Sequence, residues 1–169
     1  MRTLSCAALL ATTLAYFSLC TGSSYGSEKA GSIYPISKII NKDTLSKFKA
    51  IEVDVKDKSK RLRYKGVPLR AIFQDMAPEI KIDTMPDWKA LSRKRLVMEL
   101  TADDGYPGLV TAVELAINSS GDRFVLAEKC NGKDLDTGIM LVCKADEYHV
   151  RWVRQVKSAR IVELAAPAP

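Results

Sequence analysis

The sequence predicts an α+β domain, with a mixed, mainly antiparallel sheet and short helices. Three observations predict it. Strand-like segments crowd the second half of the chain, tight polar turns separate them, and the late connections are too short for the helices that a parallel, doubly wound sheet requires. Composition agrees: 169 residues at 47% hydrophobic and 27% charged suit one domain that folds without disulfides. The 26 basic and 20 acidic residues give +6 and are spread along the chain, which speaks against a nucleic-acid arm. A weak preference for anionic ligands or membrane surfaces remains.

Residues 37–48 carry Ile39, Ile40, Leu45 and Phe48 with polar interruptions, so a short helix is expected there. Residues 51–55 (IEVDV) alternate as a strand does. After a turn expected at Lys65-Gly66, residues 68–76 place Leu69, Ile72, Phe73 and Met76 at helical spacing behind a proline, and Ala77-Pro78 ends that helix. A strand over 96–101, a loop over 102–107 and a short helix over 110–117 follow. Strands are then expected over 123–129, 139–144 and either 150–156 or 159–164.

Arg2, the apolar run 4–19 and the small polar stretch after it have the order of a secretory signal. Residues 1–26 are therefore expected to be removed, leaving a domain over 27–164 and a loose tail over 165–169. A cut nearer Gly22 or Ser27, or retention as an anchor, are the alternatives; a lipidated Cys20 is disfavoured by the bulky Leu19 before it. Such an address places the protein in the periplasm. Cleavage leaves Cys130 and Cys143, which either form a disulfide across neighbouring strands or stay as two thiols. A metal site made from them and His149 would match no standard zinc spacing.

The common catalytic signatures are missing: His149 is the single histidine, and there is no HExxH, Walker loop or GxGxxG. Asp103-Asp104 lies in a Gly/Tyr/Pro loop, which fits either a solvated turn or a site. In the segment 149–154 (HVRWVR), a strand would send Arg151 and Val153 to one side and Trp152 and Arg154 to the other. That pattern suits an edge strand, or a site for a flat polar heterocycle or an anionic group, because guanidinium groups offer planar donors and an indole offers a face. Arg70, on the predicted helix, is open to the same two readings.

Taken in order, five short motifs resemble the sulfite-oxidase-type molybdopterin-binding domain family. They are Tyr64-Lys65-Gly66-Val67-Pro68-Leu69-Arg70 before a helix; Ala102-Asp103-Asp104-Gly105-Tyr106; Val125-Leu126-Ala127 with Asn131-Gly132 and Leu135; residues 138–143; and Arg151-Trp152-Val153 before a final strand. The match spans about residues 50–164. The resemblance implies a sulfite-oxidase-like molybdopterin-binding fold, a pterin near residues 138–152 and the Asp-Gly-Tyr loop at the mouth of its pocket. One departure bears on mechanism. Catalytic members hold molybdenum through a cysteine ahead of the Gly-Val-Pro-Leu motif, and residues 52–64 contain none. The family's arginine soon after Gly138 is also replaced, by Met140 or Leu141.

The resemblance therefore implies a periplasmic, monomeric pterin-binding protein without catalytic metal. Its pterin, a reduced pterin or a molybdopterin-like one, would be held by Asp104, Tyr106, Asn131, Arg151, Trp152 and Arg70. Some similar small proteins pass the pterin state to the outer domain of a membrane enzyme of cyclic-dinucleotide signalling, which would be the partner. A small molybdenum-cofactor oxidoreductase and a ligand-free structural relative are the other two readings.

Overall fold

A computed structural model of the chain describes residues 36–82, 88–116, 123–144, 146, 149 and 151–165. The expected leader, residues 1–26, and residues 166–169 of the expected tail lie outside the described residues. The fold is α+β, as its patterning predicts, but the strands divide between two sheets instead of forming one, and every pairing among the described residues is antiparallel. Among the described residues no helix is long and apolar enough to cross a membrane.

The first sheet runs β1 (Ile36–Ile39), β9 (Val156–Glu163), β4 (Leu96–Ala102), β5 (Pro107–Thr111). The second runs β2 (Ile51–Asp57), β3 (Lys60–Pro68), β6 (Phe124–Cys130), with β7 (Lys133–Asp134) and β8 (Met140–Cys143) continuing one another along the far side of β6. Alternation decides the faces. Phe124 and Leu126 of β6, with Leu141 and Cys143 of β8, enter the main core, while Val125, Ala127, Met140 and Val142 enter a smaller cluster on the opposite face. The helix α2 (Leu69–Met76) seals the main core with Leu69, Ile72, Phe73 and Met76, all buried, as their spacing predicts.

Several boundaries depart from the sequence reading. Residues 36–39 pair with β9, and only α1 (Lys42–Leu45) is helical, started by Asn41, whose Oδ1 accepts from the Thr44 N–H at 2.7 Å. The chain does not turn at Lys65-Gly66. It turns at Lys58-Ser59, and β3 continues through Gly66 because glycine alone fits there: a Cβ would lie 2.1 Å from the Leu126 carbonyl oxygen. The helix expected over 110–117 begins as the end of β5. It becomes α4 (Ala112–Ala116) after a capping box in which the Thr111 N–H donates to the Glu114 carboxylate at 3.0 Å and the Glu114 N–H donates to the Thr111 hydroxyl at 3.2 Å. A further helix, α3 (Trp88–Arg93), precedes β4. The final strand is β9; residues 151–155 form an irregular segment that meets β8 through the isolated Leu141–Val153 bridge and through side-chain contacts of Arg151 and Trp152 with Cys143.

Cys130 and Cys143 are both free thiols, correcting the possible disulfide. Their strands do lie side by side, but Cys143 pairs with Phe124 at the open end of the hairpin while Cys130 sits at its closed end, six residues or about 20 Å along β6. That separation equally prevents them from sharing a metal ion with His149.

Strand β5 approaches the 151–155 segment closely at Gly108. A Cβ on Gly108 would lie 2.3 Å from Val153 Cγ2. Gly108→Ala is expected to cost about 1–3 kcal/mol by overpacking. Because the obstacle is one methyl group, adding Val153→Ala should recover part of that loss, so urea denaturation of the two singles and the double should give a combined destabilisation smaller than their sum.

Candidate functional site

Three loops meet at one open cleft with a cavity volume of about 410 Å³. The β4–β5 loop contributes Asp104 and Tyr106 beside Ala102, the loop ahead of β8 contributes Thr137, and the segment before β9 contributes Trp152, Arg154 and Gln155. Main-chain hydrogen bonds tie these loops together. The Asp103 N–H donates to the Gln155 carbonyl at 2.9 Å, the Val156 N–H to Ile139 at 2.9 Å and the Ala102 N–H to Tyr106 at 3.0 Å. Within the first loop, Asp104 Oδ1 accepts from the Tyr106 N–H at 2.9 Å, an Asx turn in which Gly105 supplies the positive φ of 84°. Tyr106 itself is 54% exposed, so its ring is open to a ligand.

Trp152 is the wall of the cleft and is held on several sides. Its Nε1 donates to the Cys143 carbonyl at 3.2 Å, the Tyr64 ring meets it edge-on at 5.5 Å, and the His149 ring stacks on it at 3.8 Å. His149 adopts a left-handed backbone, φ 55°, to place that ring. Its Nε2 is buried without a hydrogen-bond partner among the described residues, 3.9 Å from Asp57 Oδ1. Behind Trp152, burial and then the neighbouring Cys130 push the Tyr64 hydroxyl up to about 12.

Three of the predicted site residues, Asp104, Tyr106 and Trp152, are brought together; Arg151, Asn131 and Arg70 do not line the cleft. Arg151 points away from it into a carboxylate frame. Its Nε and Nη2 donate to both Asp146 oxygens at 2.6–3.1 Å, its Nη1 pairs with Glu114, and its guanidinium lies 5.0 Å from the centre of the Phe124 ring. Hydrogen bonding to Asp146 raises the Arg151 pKa further against the opposing effect of burial. Burial would raise the Asp146 carboxyl, but hydrogen bonds from Arg151 and Cys143 outweigh it and hold that carboxyl below its ordinary range. Asn131 serves the β6–β7 turn: it has φ 50°, donates its N–H to the Arg63 carbonyl at 2.7 Å and accepts the Arg63 N–H on Oδ1 at 2.9 Å. Arg70 sits in the first turn of α2, half-buried.

Sequence reasoning passed over Thr137, Arg154 and Gln155. The signal for Arg154 was present, since alternation put it on the same side as Trp152; what hid its role was the more conspicuous Arg151 next door. Together the cleft offers one carboxylate, one guanidinium, an amide, a hydroxyl and two aromatic rings. That set can match the donors and acceptors of a flat polar ring while covering its face.

Two stability predictions follow from this frame. Arg151→Gln should cost about 1–3 kcal/mol at neutral pH, less than a fully buried pair because Arg151 is partly exposed. The difference from the parent should narrow as pH falls beneath the ordinary aspartate range, and it should be lost only where the depressed Asp146 carboxyl of the folded protein at last takes up its proton. At the other extreme, the folded state keeps the Tyr64 proton longer than an unfolded tyrosine, whose pKa is about 10. Stability should therefore decline as pH rises from there towards 12, and Tyr64→Phe should remove that part of the alkaline loss in denaturant titrations.

No protein-family model matches the chain and no curated protein matches it.

Proposed function

We propose that the protein is an exported pterin-binding module on a sulfite-oxidase-like molybdopterin-binding fold, acting without catalytic metal as the sensory partner of a membrane signalling enzyme of the cyclic-dinucleotide type. The observation that carries the reading is the convergence of Asp104, Tyr106 and Trp152, which come from two separate motifs of the resemblance, on one cleft. A reduced pterin is a fused, planar ring with an amino-pyrimidinone edge. Tyr106 and the accessible part of Trp152 supply ring faces, Asp104 supplies an acceptor for amino and ring N–H groups, and Arg154 supplies planar donors for a carbonyl. The cavity volume falls in the range of small-molecule sites.

Molybdenum held by the protein does not fit these residues. Among the described residues no thiol lines the cleft; Cys143 is fully buried in the main core, and Cys130 packs against Tyr64 and the smaller cluster. The cleft's own side chains are hydrogen-bonding groups rather than soft metal ligands. Binding and presentation of an organic ring is the chemistry they support.

Fluorescence titration with tetrahydrobiopterin and with oxidised biopterin tests the reading. Tyr106→Ala should weaken binding by about 1–3 kcal/mol, the scale of one ring stacked on an aromatic side chain. Arg154→Lys should also lose affinity, whereas Arg151→Lys should leave the affinity of the folded fraction unchanged. Failure of both pterins to bind, or stoichiometric molybdenum in protein isolated from its native source, would overturn the proposal.

A further inference from the structure

Outside the cleft, one end of the second sheet carries exposed charge mainly of a single sign among the described residues. The β2–β3 turn at Lys58-Ser59 and the β6–β7 turn at Asn131-Gly132 lie at the same end, because Asn131 exchanges its two hydrogen bonds with the main chain of Arg63, three residues into β3. Lys56, Lys58, Lys60 and Arg61 on the first turn and Lys133 on the second are all exposed. Register puts Lys56 directly opposite Arg61, a like-charge pair that costs a little stability in the free protein. Among the described residues, none of these five cations has a carboxylate within ion-pair distance.

The neighbouring carboxylates are engaged elsewhere. Asp54 pairs with Arg63 at 3.1 Å, and Asp134 pairs with Lys42 at 3.1 Å and Lys129 at 3.2 Å. Asp57, the acid closest to the first tip, faces His149 on the Trp152 side. The uncompensated charge therefore projects outward from two adjacent turns, as a broad end rather than a pocket.

We infer that this end of the second sheet is a docking surface for an anionic lipid bilayer. Four of its five cations are lysines, hydrated point charges suited to a diffuse anionic plane; a specific acidic protein surface would favour the planar, bidentate donors of arginine. None of the exposed large apolar side chains, Ile36, Ile39, Tyr106, Leu109 and Leu164, lies on either turn. Adsorption is thus peripheral and electrostatic, without insertion, and is screened by salt. The surface is independent of whether the cleft holds a pterin.

Sedimentation of the full chain with vesicles tests it. Phosphatidylcholine vesicles containing phosphatidylglycerol should retain the protein at low ionic strength and release it at high ionic strength, whereas pure phosphatidylcholine vesicles should retain far less. Lys56→Gln with Arg61→Gln should lower partitioning to the anionic vesicles about thirtyfold, while Lys94→Gln with Arg95→Gln, in the turn before β4, should change it much less. Salt dependence of the unaltered chain keeps the test decisive if a variant folds poorly. Equal retention by both vesicle types would assign binding to an apolar segment and overturn the proposal. Equal loss in the two double variants would reduce it to net charge and overturn it too. Retention on immobilised polyglutamate without vesicle binding would reassign the surface to an acidic protein.

Discussion

Everything that shapes the cleft depends on how the Trp152 indole is seated. Among the described residues it is the partly buried side chain that packs against both hydrophobic clusters, the main core between the sheets and the smaller one on the far face of the second sheet. One polar atom anchors it, Nε1 on the Cys143 carbonyl at the end of β8, and Tyr64 and His149 fix its plane. An indole held by a hydrogen bond and two rings presents the same surface to the cleft whether or not anything is bound, which lowers the ordering cost of recognition. The left-handed backbone at His149 and Gln155 brackets the segment, which lies between β8 of the second sheet and β9 of the first and borders the mouth of the cleft.

Electrostatics divides the two arginines that flank this tryptophan. Arg151 is drawn into Asp146 and Glu114, and Glu114 at the same time caps α4, so one carboxylate links a helix start to the segment carrying the cleft wall. Such a frame rigidifies the loop and leaves that guanidinium unable to serve a ligand. Arg154, exposed and without an ion pair among the described residues, remains at the cleft. Three positions therefore separate a cation bound into the frame from a cation that lines the cleft, and the separation comes from where acids on α4 and in the loop after β8 reach.

The distribution of sulfur fits binding better than redox chemistry in the proposed reading. Cys143 spends its side chain on core packing beside Arg151, and Cys130 lies at a hairpin end against a tyrosine whose proton it helps to retain. What the cleft has instead is a carboxylate whose loop geometry is set by its own Asx turn, and rings with one open face. Groups of this kind match shape and hydrogen-bond pattern, the properties that the proposed sensor of a small heterocycle requires.

Local patterns by themselves determined the α+β class, the amphipathic helix α2, the strands β2, β4, β6 and β8 and the Asp104–Tyr106 loop, because each is written in periodicity of two or 3.6 or in turn chemistry that needs only near neighbours. Tertiary contacts decided the rest. Gly66 reads as a turn until the Leu126 backbone is placed against it; Cys130 and Cys143 read as partners until the hairpin register sends them to opposite ends; Arg151 reads as a ligand group until Asp146 and Glu114 are folded beside it. Each of those outcomes turns on a residue distant in sequence or on a strand register, and neither a close approach nor a charge partner leaves a trace in local spacing.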